Sequence, residues 1–202
     1  MPSGYFNQNL LVARADQLVL RQYVAEVLPK LDAKLAELEV DLDMSSLHWF
    51  LSAFAGVLTG GEALYRTWDV IFCLNSSSEM PNHFTQRKNL GIDIPNFNLS
   101  APVTPTLPTT PELPEHEHDG TSSPFLFQLS LALLKLNESA ILTLDSPAAC
   151  YSYFNSSMTN HAITVDQLIQ AAEALRTSVK RSDVLERRKA AVKLLDPSRN
   201  DS

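Results

Sequence analysis

The chain has 202 residues, of which 45% are hydrophobic and 19% charged, and its formal net charge is −7 at pH 7. This acidic balance disfavours a nucleic-acid-binding protein, because such proteins carry a basic footprint. The length allows one domain or two small ones. With 6 glycines the chain has few for a β-rich protein, and its 2 widely separated cysteines, Cys73 and Cys150, favour a reducing compartment over a disulfide framework.

Apolar residues recur at helical spacing near the N-terminus. Asp16 is placed to cap a first helix that runs to about Leu28. Pro29 interrupts this helix, because proline removes a backbone donor and clashes with the preceding turn. A second helix is therefore predicted over residues 29–39, with proline in its first turn. The first residues of the chain lack the basic and apolar regions of a signal peptide.

Two apolar segments follow, and they carry the tryptophans of the chain, Trp49 and Trp68, on either side of a Gly-Gly turn. Helical spacing continues through the first segment as far as Leu58, with a wide apolar face. Ser45 or Ser46 is expected to cap this helix. Two aromatic-rich helices joined by a tight turn predict the centre of an all-helical core.

The composition then changes abruptly. Residues 101–114 have a proline at about every third position, a pattern typical of extended polyproline-like chain that cannot bury enough apolar surface to become ordered. We interpret this region as a disordered insertion in a surface loop, which costs little because loop-closure entropy grows slowly with length. The predicted organisation is a first part over 1–74, a Pro/Thr-rich insertion over 75–123, a second part over 124–196 and a disordered tail over 197–202.

Residues 125–136 are apolar nearly all round, which predicts a helix buried in the middle of a bundle. This run is shorter than the roughly 20 residues that a membrane span needs. Further helical segments are expected over residues 141–144 and 147–154, from Thr164 or Asp166 to Val179, and over residues 184–195. The predicted fold class is all-α, with seven or eight helices and one long disordered insertion.

Few residues of the sequence indicate a metal-binding, modification or partner-binding site. The run Glu115 to Asp119 alternates histidine with carboxylates, which are metal-ligand types, but we favour a solvated patch because no scaffold fixes its geometry. The Thr-Pro and Ser-Pro pairs at Thr104, Thr110 and Ser123 fit phosphorylation or an SH3 or WW partner, although spacer composition explains them more simply. The sequence indicates no cofactor.

A basic cluster lies near the C-terminus, where a solvated helix face is favoured over contact with a membrane surface or a partner. Its members are Lys180, Arg181, Arg187, Arg188, Lys189 and Lys193. Arg66 and Asp69 are three residues apart on the second aromatic segment, a spacing that permits an ion pair on one helix face. We interpret Arg66 as a structural ion-pair residue.

The aromatic segments closely resemble the TBC domain of Rab GTPase-activating proteins. The matching residues are Trp49, Phe50, Leu51, Phe54, Arg66, Trp68, Asp69 and Phe72. Leu28 to Leu31 upstream and Phe127 to Leu136 downstream continue the resemblance in the order of the family. All of these motifs belong to the C-terminal lobe, so the resemblance implies that lobe, interrupted by the insertion after Phe72.

The resemblance implies stimulation of GTP hydrolysis by an arginine finger and a glutamine finger. In the family both come from the N-terminal lobe, in motifs of the form Ile-x-x-Asp-x-x-Arg and Tyr-x-Gln, and neither motif is found in this sequence. Arg14 and Arg66 lie in other contexts, and Gln8 follows Tyr5 at the wrong spacing. We therefore assign no catalytic, cofactor-binding or metal-binding residue, and we interpret the motif residues as mainly structural.

The first hypothesis is a C-terminal portion of a Rab GTPase-activating protein in membrane traffic, a regulator of an enzyme that is catalytically silent alone. The expected partners are a Rab-type small GTPase and the missing N-terminal TBC lobe, which would dock on exposed apolar surface. The alternative is a non-catalytic helical adapter that binds partners through the lobe and the proline-rich loop. The expected location is the cytoplasm, with peripheral attachment to endomembranes left open.

Overall fold

A computed structural model describes residues 10–58, 60–76, 124–158 and 163–196, and all regular structure in these ranges is α-helical. The helices are α1 (Leu11–Val27), α2 (Pro29–Glu37), α3 (Asp43–Leu51), α4 (Gly61–Ser76), α5 (Phe125–Leu142), α6 (Pro147–Ser156), α7 (Val165–Ala174) and α8 (Arg181–Leu195). The predicted all-α class is confirmed. The predicted insertion lies outside the described residues, except for its first two residues, which end α4. The Glu115 to Asp119 cluster and the predicted tail also lie outside the described residues.

The centre of the bundle is α5, which packs against α1, α2, α3 and α7. Its residues are buried on all sides from Phe125 to Leu134, as the all-round apolar pattern predicts. The helix continues past residue 136 to Leu142, so the first two residues of the predicted segment over 141–144 end α5 and the last two lie outside it. At 18 residues with mean hydropathy 1.3 it has the length and composition of a membrane span, but 67% of it is buried in the bundle, as in a core helix.

The first two helices meet where the sequence predicts. Leu28 separates α1 from α2, and Pro29 is the first residue of α2. The predicted cap at Asp16 is wrong, because α1 begins at Leu11 and Asp16 lies inside the helix with 1% of its surface exposed. A buried carboxylate in mid-helix requires a partner from elsewhere in the fold.

The first aromatic helix is shorter than its apolar pattern indicates. α3 begins at Asp43, so Ser45 and Ser46 lie within it and the prediction that one of them is the cap is wrong. The helix ends at Leu51 instead of Leu58, and turns follow as far as residue 58. Periodic apolar residues continue through these turns because they face the same core, although the backbone is no longer helical.

The later helices begin on clear polar signals. Ser146 precedes Pro147 and its side chain accepts a hydrogen bond from the Ala149 amide, at 3.4 Å. Thr164 and Gln167 form a capping box at the start of α7, in which each side chain bonds to the other's backbone amide. α7 ends at Ala174, earlier than predicted, and α8 starts at Arg181, earlier than the predicted residue 184.

Candidate functional site

The motif residues of α3 are core residues. Trp49 and Phe50 are 2% and 0% exposed, and Leu51 is half-buried. The Phe50 ring meets the Phe127 ring of α5 edge-to-face, with centroids 5.0 Å apart. The Trp49 ring stacks on that of Phe54, at 6.1 Å. These contacts fix α3 against the central helix, which is a structural role.

The turn after α3 reverses the chain through two residues of positive φ, Ala53 at 47° and Phe54 at 65°. A bulky residue in this conformation is strained by roughly 1–3 kcal/mol, which the surrounding structure must offset. The Phe54 ring is fully buried, and its amide donates to the Trp49 carbonyl at 2.8 Å. The Trp68 indole Nε1–H of α4 donates to the Ala53 carbonyl at 2.9 Å. Trp68 therefore attaches α4 to this turn.

The charged motif residues of α4 do not form the expected pair. Arg66 and Asp69 are both exposed, and the ion pairs found among the described residues do not include either of them. The interpretation of Arg66 as an ion-pair residue is therefore wrong. Three-residue spacing permits such a contact, but an exposed ion pair contributes too little free energy to hold the flexible arginine side chain against the aspartate.

One face of α4 carries exposed aromatic residues, which we call the α4 aromatic stripe: Tyr65, Trp68 and Phe72. Tyr65 and Phe72 are 65% and 63% exposed, while Trp68 is half-buried. The Tyr65 and Trp68 rings meet edge-to-face at 6.4 Å. Spacings of three and four residues place all three on one side of the helix. α4 packs against α7, and the stripe leaves much of its aromatic area in solvent.

A buried ion pair joins α8 to α1. The guanidinium of Arg188 makes two contacts to the Asp16 carboxylate, at 2.5 Å from Nε and 3.1 Å from Nη2. Their side chains are 8% and 1% exposed. Arg188 also lies 6.0 Å from the centroid of the Phe127 ring. The carboxylate of Asp16, which lies in mid-helix, is thus paired with a guanidinium 172 positions away in the chain.

A second polar cluster continues this interface, and we call it the Tyr23 cluster: Tyr23, Glu26, Asp183 and Arg187. The Tyr23 hydroxyl donates to Asp183 at 2.5 Å, and Arg187 binds Glu26 through two bonds of 2.6 and 2.9 Å. Arg187 also contacts Asp183 at 3.1 Å and lies 4.3 Å from the Tyr23 ring centroid. Two arginines of the predicted basic cluster, Arg187 and Arg188, therefore bind acidic side chains of α1.

The electrostatics of the Tyr23 cluster follow from these bonds. Burial, followed by the hydrogen bond to Asp183, raises the pKa of the Tyr23 hydroxyl. The hydrogen bond from Tyr23, followed by the bond from Arg187, lowers the pKa of Asp183. The Glu26 bond raises the pKa of Arg187 above its ordinary value. The raised pKa keeps Tyr23 a neutral donor, while the other two shifts favour the ionised Asp183 and Arg187, so the cluster stabilises the packing of α8 on α1.

The described residues hold no arrangement that suggests catalysis. Arg14 and Arg66 are exposed on α1 and α4, and Gln8 lies outside the described residues. No group of three histidine, cysteine or acidic side chains suited to a metal ion occurs in the described ranges. What the motif region offers is a rigid support, consisting of buried aromatic rings and a strained turn, with one exposed aromatic face.

The sequence comparisons agree with the TBC resemblance that these motifs carry. Residues 1–85 match the model of the Rab-GTPase-TBC domain. Small G protein signaling modulator 3 of Homo sapiens is 43% identical over 72 residues, covering 36% of this chain and 10% of that protein. TBC1 domain family member 2A of Mus musculus is 26% identical over 153 residues, covering 76% of this chain and 11% of that protein.

Residues 1–85 of the chain are therefore similar to a Rab-GTPase-TBC domain, which confirms the resemblance in the sequence. A TBC domain-containing protein of Schizosaccharomyces pombe is also similar, with 44% identity over 73 residues. The chain spans about a tenth of the length of the curated relatives it matches. No solved structure matches it significantly.

Proposed function

We propose that this chain is the C-terminal portion of a TBC-type GTPase-activating protein for Rab-family small GTPases, that it serves membrane traffic, and that it is catalytically silent alone. The observation that carries the proposal is the match of residues 1–85 to the Rab-GTPase-TBC domain together with the absence of both finger motifs. An arginine finger is worth about 10³–10⁵ in the rate of GTP hydrolysis in Ras-like enzymes. A lobe without one supports the fold and leaves this step uncatalysed.

The test is single-turnover GTP hydrolysis by a panel of purified Rab proteins, with and without a large excess of the 202-residue chain. An active TBC protein serves as the positive control on the same panel. We expect the hydrolysis rate of each Rab to change by less than a few-fold. Stimulation of any Rab beyond that, abolished by Arg66→Ala or Arg14→Ala, would overturn catalytic silence and identify the arginine responsible.

The missing N-terminal lobe is the partner that we propose for the α4 aromatic stripe. Exposed apolar side chains that are grouped on one face are typical of a contact site for another protein surface. We expect the purified chain to bind a hydrophobic dye and to self-associate. Replacement of Tyr65 and Phe72 by serine should reduce both, whereas Leu194→Ser, at a residue 73% exposed on α8, should change neither. Equal effects of the two changes would contradict the assignment.

The adapter alternative rests on the same absence of finger motifs. Translation of the transcript upstream of the codon for Met1 separates the two functions. An in-frame arginine-finger motif there supports the GTPase activator, and an upstream stop codon with no such frame supports the adapter.

For location, we propose the cytoplasm with peripheral attachment to endomembranes. Cell fractionation tests this, since washing with high salt should release a peripherally attached chain from the membrane pellet.

A further inference from the structure

A polar pocket of about 230 Å³ lies beside Trp49, and its lining includes no residue of the α4 aromatic stripe. Its walls come from α3, from the turn that follows α3 and from the last turn of α6. The polar side chains that line it are Ser45, His48, Trp49, Asn155 and Ser156. By comparison, a cavity of about 150 Å³ holds a benzene ring, so this pocket has room for a side-chain-sized group.

Two of these polar groups belong to buried residues and have no hydrogen-bond partner in the described part of the chain. Trp49 and Ser45 are 2% and 5% exposed. Neither the Trp49 Nε1–H nor the Ser45 hydroxyl takes part in a hydrogen bond there, whereas the Trp68 indole bonds to Ala53. Among the described residues, Gln17 Nε2 is the one side-chain nitrogen or oxygen atom that is both fully enclosed and without a hydrogen-bond partner. The Trp49 indole nitrogen and the Ser45 hydroxyl oxygen are therefore not fully enclosed and reach open space.

Buried polar groups in folded proteins are almost always paired with protein, water or a ligand. Trp49 and Ser45 both line the pocket, and the pocket is therefore where their partner belongs. An indole N–H is a donor only, so the partner must present an acceptor to Trp49. A serine hydroxyl both donates and accepts, as does the amide of Asn155 at the exposed rim.

The charge of the pocket narrows the ligand class. Among its lining residues there is no lysine, arginine, aspartate or glutamate, and His48 is the one titratable group. A carboxylate would enter without a fixed cation to offset its desolvation, which is costly. A neutral carboxamide meets the requirements, since its carbonyl accepts from Trp49 and its NH₂ group donates to Ser45 or Asn155.

We propose that this pocket binds a primary carboxamide of side-chain size, as carried by a glutamine or asparagine side chain of a partner polypeptide. The carboxamide carbonyl accepts from the Trp49 indole. The site is separate from the proposed GTPase-activating role, because its chemistry depends on neither the finger motifs nor the α4 aromatic stripe.

The chain contains two tryptophans, Trp49 and Trp68, so proton–nitrogen NMR of the labelled 202-residue protein gives two indole N–H signals. The probe is N-acetylglutamine N-methylamide, titrated to tens of millimolar. The leucine analogue has the same backbone amides, and the glutamate analogue tests the preference for a neutral group. We expect a saturable shift of the Trp49 signal with glutamine alone, and no shift of the Trp68 signal, whose donor is already bonded.

Asn155→Ala removes a rim amide from an exposed position and should weaken the titration by about fivefold, the effect of one neutral hydrogen bond. Ser152→Ala, one turn earlier on α6 and outside the pocket lining, is the matched control and should leave the titration unchanged. Equal shifts with glutamine and leucine, movement of both indoles, or no Trp49 shift would each overturn the proposal. So would an Asn155→Ala variant that folds and binds as well as the Ser152→Ala control.

Discussion

Arg188→Met tests whether the buried ion pair is what seats α8 on α1. The substitution keeps an unbranched side chain of similar length and removes both bonds to Asp16, which is 1% exposed. Removing one partner of a buried pair costs about 3–5 kcal/mol, because the remaining carboxylate is desolvated without its counter-ion. At roughly 2–4 °C per kcal/mol for a chain of this size, we expect the midpoint of thermal unfolding to fall by about 10 °C.

The assay is thermal unfolding and urea unfolding, each followed by circular dichroism, of the wild-type chain and three variants. Lys189→Met changes the adjacent, exposed residue of α8 and should shift the free energy of unfolding by less than about 0.5 kcal/mol. The double variant Asp16→Leu with Arg188→Met removes both charges and should recover most of the loss, because an apolar pair of similar volume often replaces a buried ion pair at little cost. If Arg188→Met proves no worse than Lys189→Met, the pair does not hold α8 in place.

Three further changes test local bonds by the same unfolding assay. Tyr23→Phe removes the hydroxyl that lowers the pKa of Asp183, so it should cost about 1–2 kcal/mol near neutral pH. The stability that this hydrogen bond contributes is present above the pKa of an aspartate in the unfolded chain, and it is lost as pH falls through the lowered pKa of folded Asp183. The difference in the free energy of unfolding between the wild-type chain and Tyr23→Phe should therefore shrink below about pH 4. A difference that stays constant with pH would contradict this. Trp68→Phe removes the bond to the turn carbonyl and should cost about 1 kcal/mol, with the turn at residues 52–58 becoming more susceptible to proteolysis. Thr164→Ala removes half of a capping box and should cost about 1 kcal/mol, whereas Thr177→Ala, at an exposed turn position, should cost almost nothing.

The boundaries that sequence predicts well are those with a local cause. Pro29 ends one helix and starts the next because its ring cannot occupy a helix interior, and Thr164 starts α7 because its hydroxyl binds an amide three residues later. Both effects depend on a few neighbouring residues. The all-round apolar pattern of α5 also predicts its burial directly, since a helix with no polar face has no side to present to water.

The features that sequence reasoning missed depend on distant residues. Asp16 resembles a helix cap in its local sequence, and its true partner, Arg188, is far away in the chain and hidden in a charged run that resembles a solvated face. The end of α3 was placed too late because Phe54 keeps the apolar period while its backbone takes a positive φ, held by burial and by the bond from Trp68. The pocket beside Trp49 likewise has no signature in the sequence, since α3 and α6 build it together.

The central proposal is that this chain is the supporting part of a Rab GTPase-activating domain and lacks the catalytic groups. The most direct measurement is GTP hydrolysis by a Rab protein in the presence of the chain fused behind an N-terminal TBC lobe that supplies both fingers. We predict that the fusion stimulates hydrolysis strongly, that its finger arginine→Ala variant does not, and that the chain alone leaves the rate unchanged. Strong stimulation by the chain alone, or a folded fusion without activity, would contradict the account.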